Sequence, residues 1–506
     1  MAKAIMLQGT SSHVGKSILT TALCRILFQD GYKVVPFKAQ NMALNSYVTK
    51  TGDEMGRAQV AQAEAAGLDP VVEMNPVLLK PTGNSCSQVV LMGKPIGNMS
   101  AKEYHNGYSL KALHTVEQCI QKLAAEYDVL VIEGAGSPAE VNLKANDIVN
   151  MRVAKMTPAP VLLVADIDRG GALAAIVGTL ELLDPDEREF VKGIVINKFR
   201  GDINLLTPAL QFLEKKTGKP IVGVVPYLED LGIDDEDSVS LDDKQTIEKK
   251  DIEVVVLRTP KIANFTDFDA LANEPDVTVR YIRSGEPLGR PDLILLPGSK
   301  NTTEDLLYLR QHGYEQAILS AVAAGIPLIG ICGGYQMLGR EIRDPQHTES
   351  SFDQVAGFGL LDIITTFVAK KLTHQVRVDC QNHAFLGMQF SAADMQGYEI
   401  HMGRTDFIHP VQAAFQITCR SGSPVNSLDG VIRPDGLVMG TYIHGIFDND
   451  RYRRTLIDAL RSRKGLKPLA TINNTQARKQ NSYNRLAETV RRSLDMKLLY
   501  QIIGIE

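Results

Sequence analysis

The chain has 506 residues, 44% of them hydrophobic and 22% charged, with a formal net charge of −5. That length exceeds what one hydrophobic core supports, so at least two domains are expected, and the composition excludes long disordered tracts. The mild acidity gives no basic field for nucleic acid, and no apolar run approaches the ~18 residues of a membrane span.

The first residues, Met1 to Gly9, turn polar too early for a signal peptide. Six scattered cysteines (Cys24, Cys86, Cys119, Cys332, Cys380 and Cys419) show neither a C-x-x-C pair nor Cys/His metal spacing. Both features predict a cytoplasmic protein in which at most one thiol has a chemical task.

Short apolar runs at Ala4–Leu7, Lys33–Phe37, Val129–Ile132, Pro160–Ala165, Gly193–Ile196 and Ile221–Val225 alternate with helical patterns. A strand covered on both faces is apolar throughout, so these runs predict a parallel sheet in an α/β fold. The acidic word Asp234-Asp235-Glu236-Asp237 opens a polar stretch that reads as a linker over 234–250. A second α/β series follows, with runs at Ile252–Leu257, Val277–Ile282, Leu293–Leu296, Pro327–Ile331 and Leu437–Tyr442. The predicted organisation is a first α/β domain over 1–233, the linker, a second domain over 251–450, and a peripheral helical tail over 451–506.

Directly after the first run stands Gly9-Thr10-Ser11-Ser12-His13-Val14-Gly15-Lys16-Ser17, leading into a helical pattern. Small residues let backbone N–H groups cradle phosphate, and the helix N-terminus favours its charge. Lys16 and Ser17 then reach the terminal phosphates and a Mg²⁺ ion. Five residues separate Gly9 from Gly15, one more than the strict phosphate-loop pattern has. Thr10 stands where that pattern has Gly. Glu133, at the end of the third run, is a candidate Mg²⁺ ligand, and Asn197, ending the fifth, is a candidate for reading the base through its amide.

In the second series Gly330-Ile331-Cys332-Gly333-Gly334 follows an apolar run and precedes a helical pattern. This is a nucleophile elbow with Cys as the exposed group, and the helix beneath it favours thiolate. Backbone N–H groups near Gly298, in Leu296-Pro297-Gly298-Ser299, and at Gly333 are the candidate oxyanion hole. For the base, the residues alone leave two candidates, His444 after Leu437–Ile443 and His401 in Tyr398-Glu399-Ile400-His401-Met402-Gly403.

The Gly9 loop with Glu133-Gly134-Ala135-Gly136 resembles dethiobiotin synthetase, whose superfamily uses ATP to activate a carboxylate. The Cys332 half resembles class I, triad-type glutaminases, in which the catalytic His follows the last core strand; that likeness implies His444. It also shows a departure, since the usual Glu two residues further on is here Ile446. The third triad member is left unassigned.

The words Phe37-Lys38-Ala39-Gln40-Asn41-Met42, Gly56-Arg57-Ala58-Gln59, Met74-Asn75-Pro76-Val77 and Tyr398 to Gly403 are similar to the cobyrinic/cobyric acid amidotransferase family. Those around Asn41, Asn75 and Tyr398 favour the cobyric-acid-forming step over a,c-diamide formation. The resemblance implies amidation of the b, d, e and g carboxylates of a corrinoid a,c-diamide, with ATP, Mg²⁺ and glutamine. It also implies Glu54 as a further metal ligand. A partitioning-type ATPase is the rival from another class, but its second, earlier loop lysine is absent from positions 10 to 14.

Overall fold

A computed structural model describes residues 2–505 except 84, 229–231, 234–248, 382–384, 388–390 and 470–471. Most of the expected linker, 234–250, therefore lies outside the described residues.

The first unit is built on six strands: β1 (Lys3–Gly9), β2 (Val34–Phe37), β3 (Val129–Glu133), β4 (Val161–Asp166), β5 (Val191–Phe199) and β6 (Ile221–Pro226). All run parallel, in the order β6-β5-β4-β1-β3-β2. Successive side chains of a strand point to opposite faces, and both faces are covered here. Ile5, Leu7, Val129 and Val131 enter the core shared with helix α1 (Lys16–Gln29). Ala4, Met6, Leu130 and Ile132 enter the core on the other side. This two-sided burial is why these segments read as unbroken apolar runs.

The second unit repeats the plan with β7 (Ile252–Leu257), β8 (Val277–Ile282), β9 (Leu293–Leu296), β10 (Leu328–Ile331), β11 (Val431–Ile432) and β12 (Val438–Thr441). Their order is β8-β7-β9-β10-β12-β11, parallel except for the β11–β12 pair. In both sheets the chemistry-bearing words stand at strand carboxyl ends, where open α/β sheets collect ligands.

Two further sheets were not legible as apolar runs. Residues 40–100 contribute a four-stranded sheet to the first unit. In the second, Ile363–Gln381 and Ser391–Phe407 form a long antiparallel ribbon continued by Phe415–Arg420 and Ser423–Asp429. One face of this ribbon is wet, so polar residues interleave with apolar ones and no run appears.

The tail is helical but not peripheral. Helix α4 (Asp450–Arg463) anchors to the second unit, Arg453 reaching Glu274 at 2.6 Å and Arg454 reaching Asp276 at 2.9 Å, all buried. Helices α5 (Thr475–Ser493) and α6 (Met496–Ile503) return to the first unit, where Tyr483, Leu486, Val490 and Leu499 join the α1 core. The Asp495 N–H donates to the Val222 carbonyl of β6 at 2.8 Å. The periodic apolar positions of α5 explain the difference, since such a stripe must be buried against something.

Candidate functional site

At the phosphate-loop end, Gly15 has φ +95°, a conformation that a Cβ would strain, and caps α1. The Lys16 ammonium bends back over the loop to the carbonyls of Ser11 (3.1 Å) and Gly136 (3.0 Å). Ser17 Oγ donates to Glu133 at 2.8 Å. The Glu133 carboxylate also takes Lys38 Nζ at 2.8 Å and Gln62 Nε2 at 2.6 Å, and it is buried. A lysine, a hydroxyl and a carboxylate thus converge between the Gly9–Ser17 loop and the carboxyl end of β3.

At the other end, Cys332 sits between β10 and helix α3 (Gly333–Leu338) with φ 53° and ψ −107°, a strained elbow. The elbow closes only because its neighbours lack side chains. A Cβ on Gly334 would overlap the Leu296 carbonyl, and one on Gly333 would lie 2.7 Å from the Ser299 nitrogen. The Cys332 N–H donates to the Thr441 carbonyl at 2.8 Å, which fixes the elbow beside β12. Just beyond β12, His444 is buried and lines the same pocket as Cys332, whose thiol donates to the Ile400 carbonyl at 3.6 Å.

The far side of that imidazole carries a carboxylate. His444 Nδ1 lies 2.6 Å from Asp267 Oδ2, while Asp267 Oδ1 accepts the Gly445 N–H at 3.0 Å. Burial would lower the imidazole pKa, but the charge and hydrogen bond of Asp267, with help from Cys332, raise it to about 10. Asp267 stands on a single turn, Phe265–Phe268, whose two phenylalanines are fully buried and hold the turn in place.

Residues 253–452 match the CobB/CobQ-like glutamine amidotransferase domain, and residues 5–241 match the CobQ/CobB/MinD/ParA nucleotide binding domain. Over its whole length the chain is 56% identical to the cobyric acid synthase of Pelotomaculum thermopropionicum and 54% to that of Moorella thermoacetica. It is 52% identical to that of Desulforamulus reducens. These alignments span 97%, 98% and 99% of the relatives. The chain belongs to the cobyric acid synthase family. It is a glutamine-dependent amide ligase of cobalamin biosynthesis with a nucleotide-binding domain that uses ATP.

Against this family background, each residue singled out in the sequence has a position. Gly9, Thr10, Gly15, Lys16, Ser17 and Glu133 share one centre; Gly298, Cys332, Gly333 and His444 share the other. A Cβ on Gly298 would come within 3.3 Å of His444 Cε1, so the β9 loop passes directly against the imidazole.

Asn197 stands near the end of β5, beside the phosphate loop. Its amide donates to the Val14 carbonyl at 2.8 Å and lies where a Gly15 side chain would be, so it braces the phosphate loop. Glu54 does not join Ser17 and Glu133. Its buried carboxylate is held by Lys80 at 2.6 Å and by Lys371 of the second unit. Two ammonium groups thus balance its charge, and among the described residues no group of three metal-ligating His, Cys, Asp or Glu side chains occurs.

His401 lies within the strand Ser391–Phe407, not in a loop. Its Nδ1 faces the Gly403 carbonyl at 2.7 Å and its ring stacks on Tyr442, centroids 3.7 Å apart. Glu399 is clamped by Arg420 at 2.7 and 3.0 Å, so neither residue takes the place of Asp267 beside His444.

Asp267 is the residue that the sequence did not disclose. No spacing rule reaches across 177 positions, and the one local signal is an acid enclosed by buried aromatics. The hairpin 46–56 also emerged only in three dimensions. The Ser46 N–H donates to Asn264 Oδ1 at 2.9 Å, and Asn264 Nδ2 lies 3.4 Å from His444 Nε2. Tyr398, stacked on His444, donates to the Ser46 carbonyl at 3.3 Å. The first unit therefore touches the imidazole through one intervening side chain.

Proposed function

We propose that the chain amidates the b, d, e and g carboxylates of adenosylcobyrinic acid a,c-diamide to give adenosylcobyric acid, using one glutamine and one ATP per amide. The observation that carries the reading is the Cys332–His444–Asp267 line on one unit of a chain whose other unit holds the Lys16, Ser17 and Glu133 cluster. A cytoplasmic setting suits six cysteines that are all free thiols.

In the glutaminase half, the Cys332 thiolate attacks the side-chain amide carbon of glutamine. Backbone N–H groups at Gly298 and Gly333 stabilise the oxyanion. His444, held as imidazolium by Asp267, gives its proton to the departing nitrogen, so ammonia leaves and a γ-glutamyl thioester remains. Water then releases glutamate and restores the thiol.

In the synthetase half, a corrinoid carboxylate attacks the γ-phosphoryl group of ATP, giving an acyl phosphate and ADP. Ammonia displaces phosphate from that carbonyl and loses a proton to form the amide. Lys16 neutralises charge on the transferring phosphoryl group. Ser17 and Glu133, a hydroxyl and a carboxylate 2.8 Å apart, suit a hard cation that keeps phosphate oxygens and water as its other ligands, and they would hold Mg²⁺ there. An ion held there would supply charge neutralisation for the transferring phosphoryl group. Lys38 Nζ, 2.8 Å from Glu133, holds that carboxylate in place.

Mass spectrometry of the corrinoid after incubation with ATP and glutamine tests the reading. Discrete steps for each acid-to-amide conversion, starting from the a,c-diamide, are expected. Product formed only from the unamidated acid, and stopping at the diamide, would assign the preceding step instead.

A further inference from the structure

The cavity that contains Cys332 and His444 is also lined by Lys300, Glu349, Lys80 and Lys371. Two of these four are already satisfied, because Lys80 and Lys371 are both bound to Glu54. The Lys300 ammonium is different. Among the described residues it makes no hydrogen bond and no ion pair, although it reaches the same enclosed space.

Its position is not accidental to the loop. The Lys300 N–H is fixed to the Lys261 carbonyl at 2.9 Å, immediately after Gly298 and Ser299, which border the imidazole and the elbow. Glu349 approaches from a separate loop. The Asp344 carboxylate gathers the N–H groups of Thr348, Glu349 and Ser350 at 2.7 to 2.8 Å, which rigidifies that loop. Asn301 Nδ2 adds a bond to the Glu349 carbonyl at 3.2 Å, and the Glu349 carboxylate accepts the Thr302 N–H at the start of helix α2 (Thr302–Gln311).

Lys300 and Glu349 thus present opposite charges to one pocket, yet they do not close on each other as an ion pair among the described residues. Opposite charges held apart by rigid backbone suit a ligand that carries both signs. Glutamine differs from simple primary amides in its α-ammonium and α-carboxylate, so an enzyme that selects it reads those groups away from the thiol.

We infer that Lys300 takes the α-carboxylate and Glu349 the α-ammonium of the glutamine whose side-chain amide reaches Cys332. Burial lowers the Lys300 pKa and pushes the Glu349 carboxyl up to about 7, so each charge is costly while the pocket is empty. A zwitterion relieves both at once, which a ligand with a single charge does not.

This inference rests on Cys332 as the nucleophile, and the test separates the two. In the full-length enzyme, glutaramate (carboxylate but no α-amino group) and 4-aminobutanamide (ammonium but no carboxylate) are measured as competitive inhibitors of glutamine hydrolysis. Lys300→Met should weaken glutaramate about 10- to 100-fold, the worth of one charge-assisted hydrogen bond, and leave 4-aminobutanamide within about threefold. Glu349→Gln should do the reverse, and Lys300→Arg should retain glutaramate binding. Glutamine KM should rise in both neutralised variants, while labelled glutamine at saturation still traps a thioester on Cys332. Should Lys300→Met weaken both inhibitors equally, or neither, the clamp is wrong while Cys332 stands. Loss of the thioester at saturating glutamine would place Lys300 at the thiol instead, and overturn the clamp as well. A thermal melt of each variant, with Lys300→Arg as the charge-conserving partner, keeps misfolding from being read as lost recognition.

Discussion

The two reaction centres are assembled in opposite ways. The phosphate centre is nearly local: nine consecutive residues, Gly9 to Ser17, supply the loop, and Glu133 joins from the strand beside β1. The glutaminase centre is gathered from four separate stretches, at Asp267, Gly298, Cys332 and His444. The first tolerates small displacements, because backbone N–H groups and a flexible lysine adapt to phosphate. The second depends on elements folding to within a hydrogen bond of one another, and a small misplacement is costly. Substitutions should therefore act on different reactions at the two ends.

The largest effect should come from Cys332→Ser. Glutamine hydrolysis should fall about 10⁴-fold or more, since hydroxyl is a far weaker nucleophile than thiolate. Ammonium-driven amidation should persist, as carboxylate activation lies on the other unit. Near-normal glutamine turnover by this variant would remove Cys332 from the chemistry. Lys16→Ala should reverse the pattern, costing about 10²- to 10³-fold in amide formation with either nitrogen source. An ADP-release assay with ammonium reads this directly, and robust turnover would contradict the placement of the phosphates.

Asp267→Asn should reduce glutaminase activity about 100-fold, in the range for a disturbed acid–base group, and should also change its pH profile. With Asp267 present, the His444 pKa is raised to about 10, so the imidazolium persists until the pH climbs through that value. Without that charge, burial dominates and the proton is lost near or below the ordinary histidine value. The alkaline limb should accordingly move to lower pH. The same linkage gives a stability contribution fully present below the unfolded-state pKa and lost as pH rises through about 10. An unmoved limb would detach Asp267 from His444.

His401→Ala should have a smaller effect, retaining most thioester formation, because its partners are Gly403 and Tyr442. If His401→Ala were instead the variant unable to acylate Cys332, the base would have been misassigned. Smallest in activity should be Leu486→Ala, in the returning helix. It should leave both chemistries nearly intact at low temperature while costing about 2–5 kcal/mol of stability, the usual cost of a cavity at a buried leucine. Thermal denaturation with and without ATP measures it, and an unchanged midpoint would mean that α5 adds nothing to that core.

The same contrast governs what could be read from sequence. Strands of the two parallel sheets were legible because burial on both faces forbids polar interruptions, as in Val129–Glu133. The elbow was legible because Gly330, Gly333 and Gly334 are each required by an approach that a Cβ would block. Asp267 was not, since its partner lies far along the chain and its own turn has no distinguishing pattern. Glu54 stands in a local word that carries no geometry, so its two lysine partners, one from each unit, are not legible there. Asn197 is legible as lying near the end of its strand, whereas the bond from its amide to the Val14 carbonyl is not, because sequence position fixes a residue and not the direction of its amide.

The return of α5 and α6 to the first sheet has a consequence for how the molecule is held together. Chain order makes the glutaminase body a guest, inserted between β6 and α5 of a host whose first and last elements share one core. Two polypeptide crossings, not one, join guest to host. A single hinge would let the bodies swing apart; two anchors limit separation and favour small rotations about the line between them. Clipping the last thirty residues would not trim a loose end but would open the host beside β6 and release one of its two holds on the guest.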